Sequence, residues 1–215
     1  MVLGVLALAG CTSKRNVPAS VVGDGPDTVA PRRAMENPAQ EELPAVLFVS
    51  FEATPQDVVD RMLKMARVTR EDVVYDLGCG DGRIVVAAAR RHAVKAIGVD
   101  INPERVQESL AKVREAGLGH LVSIRQADVF TLDLSDADVV FLYLTPRLNE
   151  RLMPQLRKLK RGARIISYEF DMGNAKPVEV AREKFDHYGE QRIYKWVVPW
   201  EDAETSGWDL FRMSP

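Results

Sequence analysis

The chain has 215 residues, of which 46% are hydrophobic and 28% charged, a balance typical of one globular α/β domain with additional sequence. A net charge of -2 argues against general electrostatic attraction to nucleic acid, although a local basic patch is compatible with it. No apolar run approaches the roughly 18 residues of a membrane-spanning helix.

The first 11 residues are apolar and small and end at Cys11. The sequence Leu8-Ala9-Gly10-Cys11 resembles the lipobox of bacterial lipoproteins, in which the chain is cut before the cysteine and the cysteine is lipidated. The positive residues that usually precede such a run are missing. The resemblance implies a signal segment and a lipid anchor at Cys11. The alternative is a frayed apolar N-terminus with a free thiol on a cytoplasmic protein.

Residues 12–44 contain five of the twelve prolines and no aromatic residue. Such a segment buries too little apolar surface to offset its chain entropy, so we expect a disordered linker. It would tether an anchored cysteine to a folded domain, or it is a tail without function. The folded domain is expected over residues 45–200, followed by a C-terminal tail over 201–215.

Helical and strand patterns alternate through the folded domain. Thr54-Pro55 is expected to begin a helix, with Thr54 as its cap and Pro55 at the first helical position. The apolar face of this helix comprises Val58, Val59, Met62, Leu63, Met65 and Ala66. Further helices are predicted over 84–91, from Asn102-Pro103 to Gly117, and from Thr145-Pro146 onward. Strands are predicted over 72–77, 94–100, 121–126, 138–144, 164–170, 178–184 and 192–198.

This alternation predicts an α/β fold with a doubly wound, mostly parallel sheet covered by helices on both faces. In open parallel sheets, ligands bind outside the carboxyl ends of the strands. The residues that follow each strand are therefore the first candidates for a functional site.

A glycine-rich turn follows the first strand, in the run Asp76-Leu77-Gly78-Cys79-Gly80-Asp81-Gly82. Glycines there let the backbone turn tightly, and the following helix start should present free N–H groups to a ligand. The spacing G-x-G-x-G differs from the G-x-G-x-x-G of dinucleotide-binding proteins. A preceding acidic residue suits a cationic cofactor and does not suit a pyrophosphate. The alternative is an ordinary tight turn.

Two further acidic residues follow the second and third strands. Asp100, followed by Ile101, lies 24 residues after Asp76 and is placed to accept hydrogen bonds from both ribose hydroxyls of a nucleoside. Asp128, followed by Val129, is placed to accept from an adenine amino group. Each also has a structural explanation, since Asp100 can serve a helix start and Asp128 a helix or turn cap.

This set resembles the class I S-adenosylmethionine-dependent methyltransferases over roughly residues 51–199. The resemblance implies a Rossmann-like, seven-stranded sheet and S-adenosylmethionine as cofactor. It implies cofactor contacts from the following residues: Asp76, Gly78, Cys79, Gly80, Gly82, Asp100, Ile101, Asp128 and Val129.

More narrowly, the run from Val73 to Val85 resembles a bacterial subgroup whose members often carry signal sequences, and its Asp-Gly-Arg-Ile-Val part is similar to mitochondrial protein-lysine methyltransferases. The subgroup's upstream Tyr-Val-Pro-Thr-Pro and downstream Asp-Phe-Asp-Met-Gly-x-Trp-x-Pro correspond to residues 51–55 and 169–177. Phe51 and Ala175 replace the Tyr and Trp of those patterns.

The methyl acceptor is expected over the fourth and fifth strands, with Tyr143 beside the methyl group and Glu169 or Asp171 as a base or orienting group. Alternatively, Ser167, Glu169 and Asp171 lie at every second position on one strand face, and Glu169 meets only solvent or a neighbouring helix. Tyr143-Leu144-Thr145-Pro146 lacks the (Asn/Asp)-Pro-Pro-Tyr pattern of many nitrogen methyltransferases, which disfavours amide or base methylation. The acceptor would be a protein side chain or a small molecule.

The other residue patterns are expected to have structural and not catalytic roles. The three histidines are scattered, so no metal site is predicted. Cys79 has no indicated base and is expected to fill space in the turn. The basic fourth crossover helix is expected to be a solvated face, with a nucleic-acid or acidic-protein contact as the alternative. A binding or regulatory protein that holds the cofactor without turnover remains the alternative function.

Overall fold

A computed structural model describes residues 52–185 and 189–203. The signal-like segment 1–11 with Cys11, the linker 12–44 and Phe51 lie outside the described residues, as does the predicted tail beyond Ala203. None of the helices in the described part is long and apolar enough to cross a membrane.

The described chain contains four α-helices, one 3-10 turn and seven strands. The helices are α1 (Gln56–Ala66), α2 (Arg83–His92), α3 (Pro103–Glu115) and α4 (Pro146–Leu156), and the 3-10 turn is Val129–Thr131. The strands are β1 (Val73–Leu77), β2 (Lys95–Asp100), β3 (Val122–Gln126), β4 (Val139–Leu142), β5 (Arg164–Tyr168), β6 (Glu179–Phe185) and β7 (Gly189–Val197).

All seven strands form one sheet in the order β3-β2-β1-β4-β5-β7-β6. Strands β1 to β5 are mutually parallel, whereas β7 runs antiparallel to both β5 and β6. The predicted fold class is thus confirmed. The strand order reverses between β1 and β4, and a ligand crevice in this architecture opens at the carboxyl ends of those two strands.

Alternate side chains of the central strands enter two separate apolar clusters, as the two-residue period of a strand requires. In β4, Val139 and Phe141 belong to the cluster that contains the apolar faces of α1 and α2. Val140 and Leu142 belong to the other cluster, to which α4 contributes Leu152 and Leu156. The apolar face predicted for α1 is buried in full.

Several predicted details are wrong, among them the start of the last strand, since β7 begins at Gly189 and not at residue 192. Thr54 does not cap α1, because Pro55 occupies the N-cap position and not the first helical position. The side-chain bond at the helix start comes from Asp57, whose Oδ1 accepts from Val58 N at 2.9 Å. Strand β4 ends at Leu142, two residues earlier than predicted. Strand β5 ends at Tyr168 because Glu169 adopts a left-handed conformation with φ 64°, which turns the chain out of the sheet. Glu169 and Asp171 therefore do not continue a strand face with Ser167.

Candidate functional site

The glycine turn after β1 is left-handed at Gly78, Gly80 and Gly82, with φ of 81°, 53° and 77°. Only glycine adopts such angles at little cost. Close packing adds a second requirement, because a Cβ at Gly78 would lie 2.8 Å from Leu144 Cδ2 and one at Gly82 would lie 2.9 Å from Ser109 Oγ. The turn therefore lies directly against the segment that follows β4.

Four backbone N–H groups of the turn donate hydrogen bonds within the protein. Those of Gly78 and Cys79 both donate to the Val99 carbonyl, and that of Gly82 donates to the Cys79 carbonyl. Gly80 N donates to Asp100 Oδ2 at 2.8 Å. These four N–H groups are therefore not free to bind a ligand. The expectation of free N–H groups concerned the helix start, where Arg83 N donates to Asp81 Oδ1 at 3.2 Å. A phosphate cradle needs free N–H groups, and the turn offers none at these four positions, in agreement with its spacing.

Asp76 lies at the base of the turn with only 2% of its surface exposed. Its Oδ2 atom is buried and has no hydrogen-bond donor among the described residues. Burial, then the carboxylates of Asp100 and Asp81, raise the pKa of Asp76 to about 8. A buried carboxyl oxygen without a partner is costly, and a ligand that brings positive charge or donors would relieve this cost.

Asp100 ends β2, beside the turn, and is partly exposed. Its Oδ2 accepts from Gly80 N at 2.8 Å and its Oδ1 accepts from Asn102 N at 2.9 Å. The carboxylate is thus held in one orientation by backbone groups on both sides, and each oxygen keeps a further lone pair. Ile101 follows as a partly buried residue. The structure supports the helix-start explanation and leaves room for a hydroxyl ligand.

Asp128 caps the 3-10 turn after β3, since its Oδ1 accepts from Phe130 N at 2.9 Å. The structural explanation considered for this residue is therefore correct. Its Oδ2 accepts no hydrogen bond from the described residues. Val129 is partly buried against the α4 side of the core. The pair lies at the carboxyl end of β3, next to β2 in the sheet.

Cys79 fills space inside the turn, as expected. Its side chain is buried, with Sγ 3.8 Å from Ser109 Oγ. Burial and then the charge of Asp76 raise the pKa of the thiol well above its usual range, which is the reverse of what a nucleophile needs. A Cβ added to Gly98 would lie 2.9 Å from this Sγ, so the thiol is tightly packed.

Aromatic rings gather at the carboxyl ends of β4 and β5. The ring of Tyr143 lies 4.7 Å from that of Tyr168 and 6.4 Å from that of Phe170, centroid to centroid. The Tyr143 hydroxyl donates to Glu52 Oε2 at 3.3 Å. Because Leu144 touches the glycine turn, this aromatic cluster lies beside the turn. Tyr143 is a residue predicted for the acceptor site, and Glu52 lies in the stretch 51–55, which is the next candidate for that site from the sequence.

The two carboxylates predicted as bases have local backbone partners. Glu169 Oε1 accepts from Arg192 N at 3.0 Å, and Glu169 N donates to the Arg192 carbonyl. Asp171 is exposed, and its Oδ1 accepts from Gly173 N at 3.1 Å. The buried Asn149 side chain donates to the Phe170 and Asp171 carbonyls and so holds this loop against α4. This role of Asn149 is not predicted from the sequence.

An ion-pair cluster missed from the sequence borders the turn on its other side. Asp81, inside the turn, pairs with Arg83 at the start of α2 and with Lys112 on α3. Burial acts to raise the pKa of Asp81, but the hydrogen bonds and charges of the two cations outweigh it and lower that pKa to about 2. The Asp-Gly-Arg run carried this information, but only the fold shows that Lys112 joins it.

Comparison with known proteins identifies the family. The model of the ANTKMT methyltransferase domain matches residues 76–179. A protein-lysine N-methyltransferase from Saccharolobus islandicus is 43% identical over 155 residues, which cover 71% of this chain and 96% of that relative. The chain belongs to this methyltransferase family. The mouse adenine nucleotide translocase lysine N-methyltransferase is 31% identical to it, over 75% of this chain and 68% of the relative.

A solved structure is also similar to this methyltransferase. It is described as an RNA methyltransferase from Salinibacter ruber in complex with S-adenosylhomocysteine. The two are 42% identical with a TM-score of 0.65, over 71% of this chain and 97% of that chain. The family and fold inferred from the sequence are thus confirmed. The relatives carry two different descriptions of the methyl acceptor, protein lysine and RNA.

Proposed function

We propose that this methyltransferase transfers the methyl group of S-adenosylmethionine to a lysine side chain of a protein. The cofactor is the one that its family uses, and it supplies a methyl group activated by a positively charged sulfur. The observation that carries the acceptor is the aromatic cluster with the Glu52 carboxylate beside it. Tyr143 and Phe170 are its partly exposed rings, and Tyr168, which is 2% exposed, packs beneath Tyr143 as part of the core.

The residues around the glycine turn fit this cofactor. Asp76 holds a buried carboxyl oxygen that has no donor within the described part of the chain, which suits the positive charge of the cofactor. Asp100 is oriented by Gly80 and Asn102 for the ribose hydroxyls. Ile101, Asp128 and Val129 would border the adenine. Gly78, Cys79, Gly80 and Gly82 would form the wall of the site through their backbone.

The aromatic cluster suits an alkylammonium acceptor for two reasons. Aromatic faces attract a cation and also accept a methylene chain, as lysine presents both. The Glu52 carboxylate, bonded to the Tyr143 hydroxyl, adds a negative charge that can hold the ammonium and take its proton. Glu169 and Asp171 remain predicted alternatives for that role, although their local backbone partners favour a structural one.

RNA is the second candidate acceptor, because the Salinibacter ruber relative carries that description. The residues that would bind it are the exposed cations on and after α4. Several of these are engaged within the protein: Arg157 pairs with Asp202, Lys160 pairs with Asp138, and Arg151 covers the Phe130 ring. With the net charge of -2, this arrangement supports a protein acceptor over a polyanion.

The test is methyl transfer from labelled S-adenosylmethionine into a lysate of the host. Label is expected in the protein fraction, resistant to nuclease, and recovered as methylated lysine after acid hydrolysis. Label that nuclease removes would establish RNA as the acceptor and contradict the proposal. Label on another amino acid would also contradict it.

Three variants connect the acceptor to the aromatic cluster. Tyr143→Ala removes the ring and should lower transfer about tenfold or more, the scale of a desolvated cation–π contact. Tyr143→Phe retains the ring and should lower transfer less than Tyr143→Ala does. Glu52→Gln removes the negative charge and should also lower transfer. Glu71→Gln is the matched control, since Glu71 is 76% exposed at its side chain. Equal activity of Tyr143→Ala and the control would show that the acceptor does not bind at this cluster.

A further inference from the structure

Arg83 connects the glycine turn to a segment far upstream in the chain. Its Nε and Nη2 donate to the two oxygens of Asp81 at 2.9 and 2.8 Å. Its Nη1 points the other way and donates to the Thr54 carbonyl at 2.7 Å. One side chain therefore binds both the turn and residues 52–55, which we term the upstream segment.

The turn side of this connection is rigid. Asp81 also pairs with Lys112, whose own helix α3 packs against β2 and β3. The Asp81 side chain is 13% exposed and that of Arg83 is 28% exposed. Burial to this degree with two cations on one carboxylate favours a persistent ion pair over a fluctuating surface one.

The upstream segment is anchored at its end by α1 and reaches the acceptor side at its beginning. The Pro55 carbonyl accepts from Val59 N in α1. Thr54 is buried, with 5% of its surface exposed. Glu52, two residues earlier, accepts from the Tyr143 hydroxyl. The Thr54 carbonyl contacted by Arg83 thus lies between the fixed helix and the residue that faces the aromatic cluster.

We propose that Arg83 is a positioning residue that holds the upstream segment so that Glu52 faces the methyl acceptor. Through Asp81, it also makes the placement of Glu52 depend on an ordered glycine turn. The part about the acceptor rests on the proposed function. Arginine suits the task because its planar fork grips a carboxylate with two donors and keeps a third for Thr54, which the single ammonium of lysine does not reproduce.

The experiment is amide hydrogen exchange of the full-length protein over residues 52–58, with and without S-adenosylhomocysteine. In the unsubstituted protein the ligand should slow exchange there. Arg83→Gln should speed exchange by about tenfold, the scale of one hydrogen bond to a charged group, and should remove the response to the ligand. Lys112→Met is the matched control: it also takes a cation from Asp81 but leaves Thr54 untouched, so exchange over 52–58 should stay unchanged.

Unchanged exchange in Arg83→Gln would overturn the proposal, and so would equal acceleration in Lys112→Met. If Arg83→Gln does not fold, Arg83→Lys takes its place, because it keeps the charge near Asp81 and loses the fork. It should also speed exchange over 52–58, and exchange equal to that of the unsubstituted protein would count against the proposal. The measurement needs no methyl acceptor, so its failure is distinct from failure of the lysine proposal.

Discussion

Asp76→Asn should stabilise the fold at neutral pH while weakening cofactor binding. The Asp76 carboxyl is 2% exposed, and its Oδ2 has no donor among the described residues. Burial and the carboxylates of Asp100 and Asp81 raise its pKa from 3.8 to about 8. The native state without ligand therefore keeps a proton on Asp76 at pH 7, whereas the unfolded chain releases it.

The size of the effect follows from proton linkage. A raised pKa in the folded state contributes stability that is fully present below pH 3.8 and is lost as the pH rises to about 8. The loss is about 1.4 kcal/mol per pH unit, so at pH 7 it is on the order of 4 kcal/mol. Asparagine resembles the protonated acid in shape and does not titrate. The variant should match the parent near pH 4 and exceed its free energy of unfolding by that amount at pH 7.

The assay is denaturant unfolding between pH 4 and pH 8 without cofactor, followed by calorimetry with S-adenosylhomocysteine. Glu71→Gln is the control, because it removes a carboxylate whose side chain is 76% exposed. A stability difference between Asp76→Asn and parent that is the same at both pH limits would refute the reasoning. So would a variant that is more stable at pH 7 yet binds the ligand as tightly as the parent.

Two further predictions concern the ribose contact and the N-terminus. Asp100→Ala should weaken binding of S-adenosylhomocysteine by about 1–3 kcal/mol, because it removes an acceptor for hydroxyls and the partner of Gly80 N; an unchanged affinity in calorimetry would remove Asp100 from the site. Cys11 should carry a lipid in the native host, as mass spectrometry of the native protein can establish, and an intact Met1 in soluble protein would contradict this.

Much of the fold could be predicted from local patterns. The apolar face of α1, the helix start at Asn102-Pro103 and the left-handed glycine turn all depend on residues within a few positions of one another. Asn102 caps α3 by accepting a bond from Glu104 N, and Gly78, Gly80 and Gly82 form the predicted tight turn, each with a positive φ. Side-chain periodicity and turn chemistry act over such short distances, so a single sequence records them.

The electrostatics and connections of the site were decided by tertiary structure. Glu52 and Tyr143 are 91 positions apart in the sequence, and Arg83 and Thr54 are 29 positions apart. No local sequence pattern therefore predicts either contact. Glu169 leaves the strand through its left-handed backbone, with φ 64°, and its backbone and side chain are held there by Arg192 of β7. By itself, the sequence determined the order of elements and the glycine turn that begins the site. The fold determined which buried carboxyl has no hydrogen-bond donor among residues 52–185 and 189–203, because desolvation depends on everything packed around it.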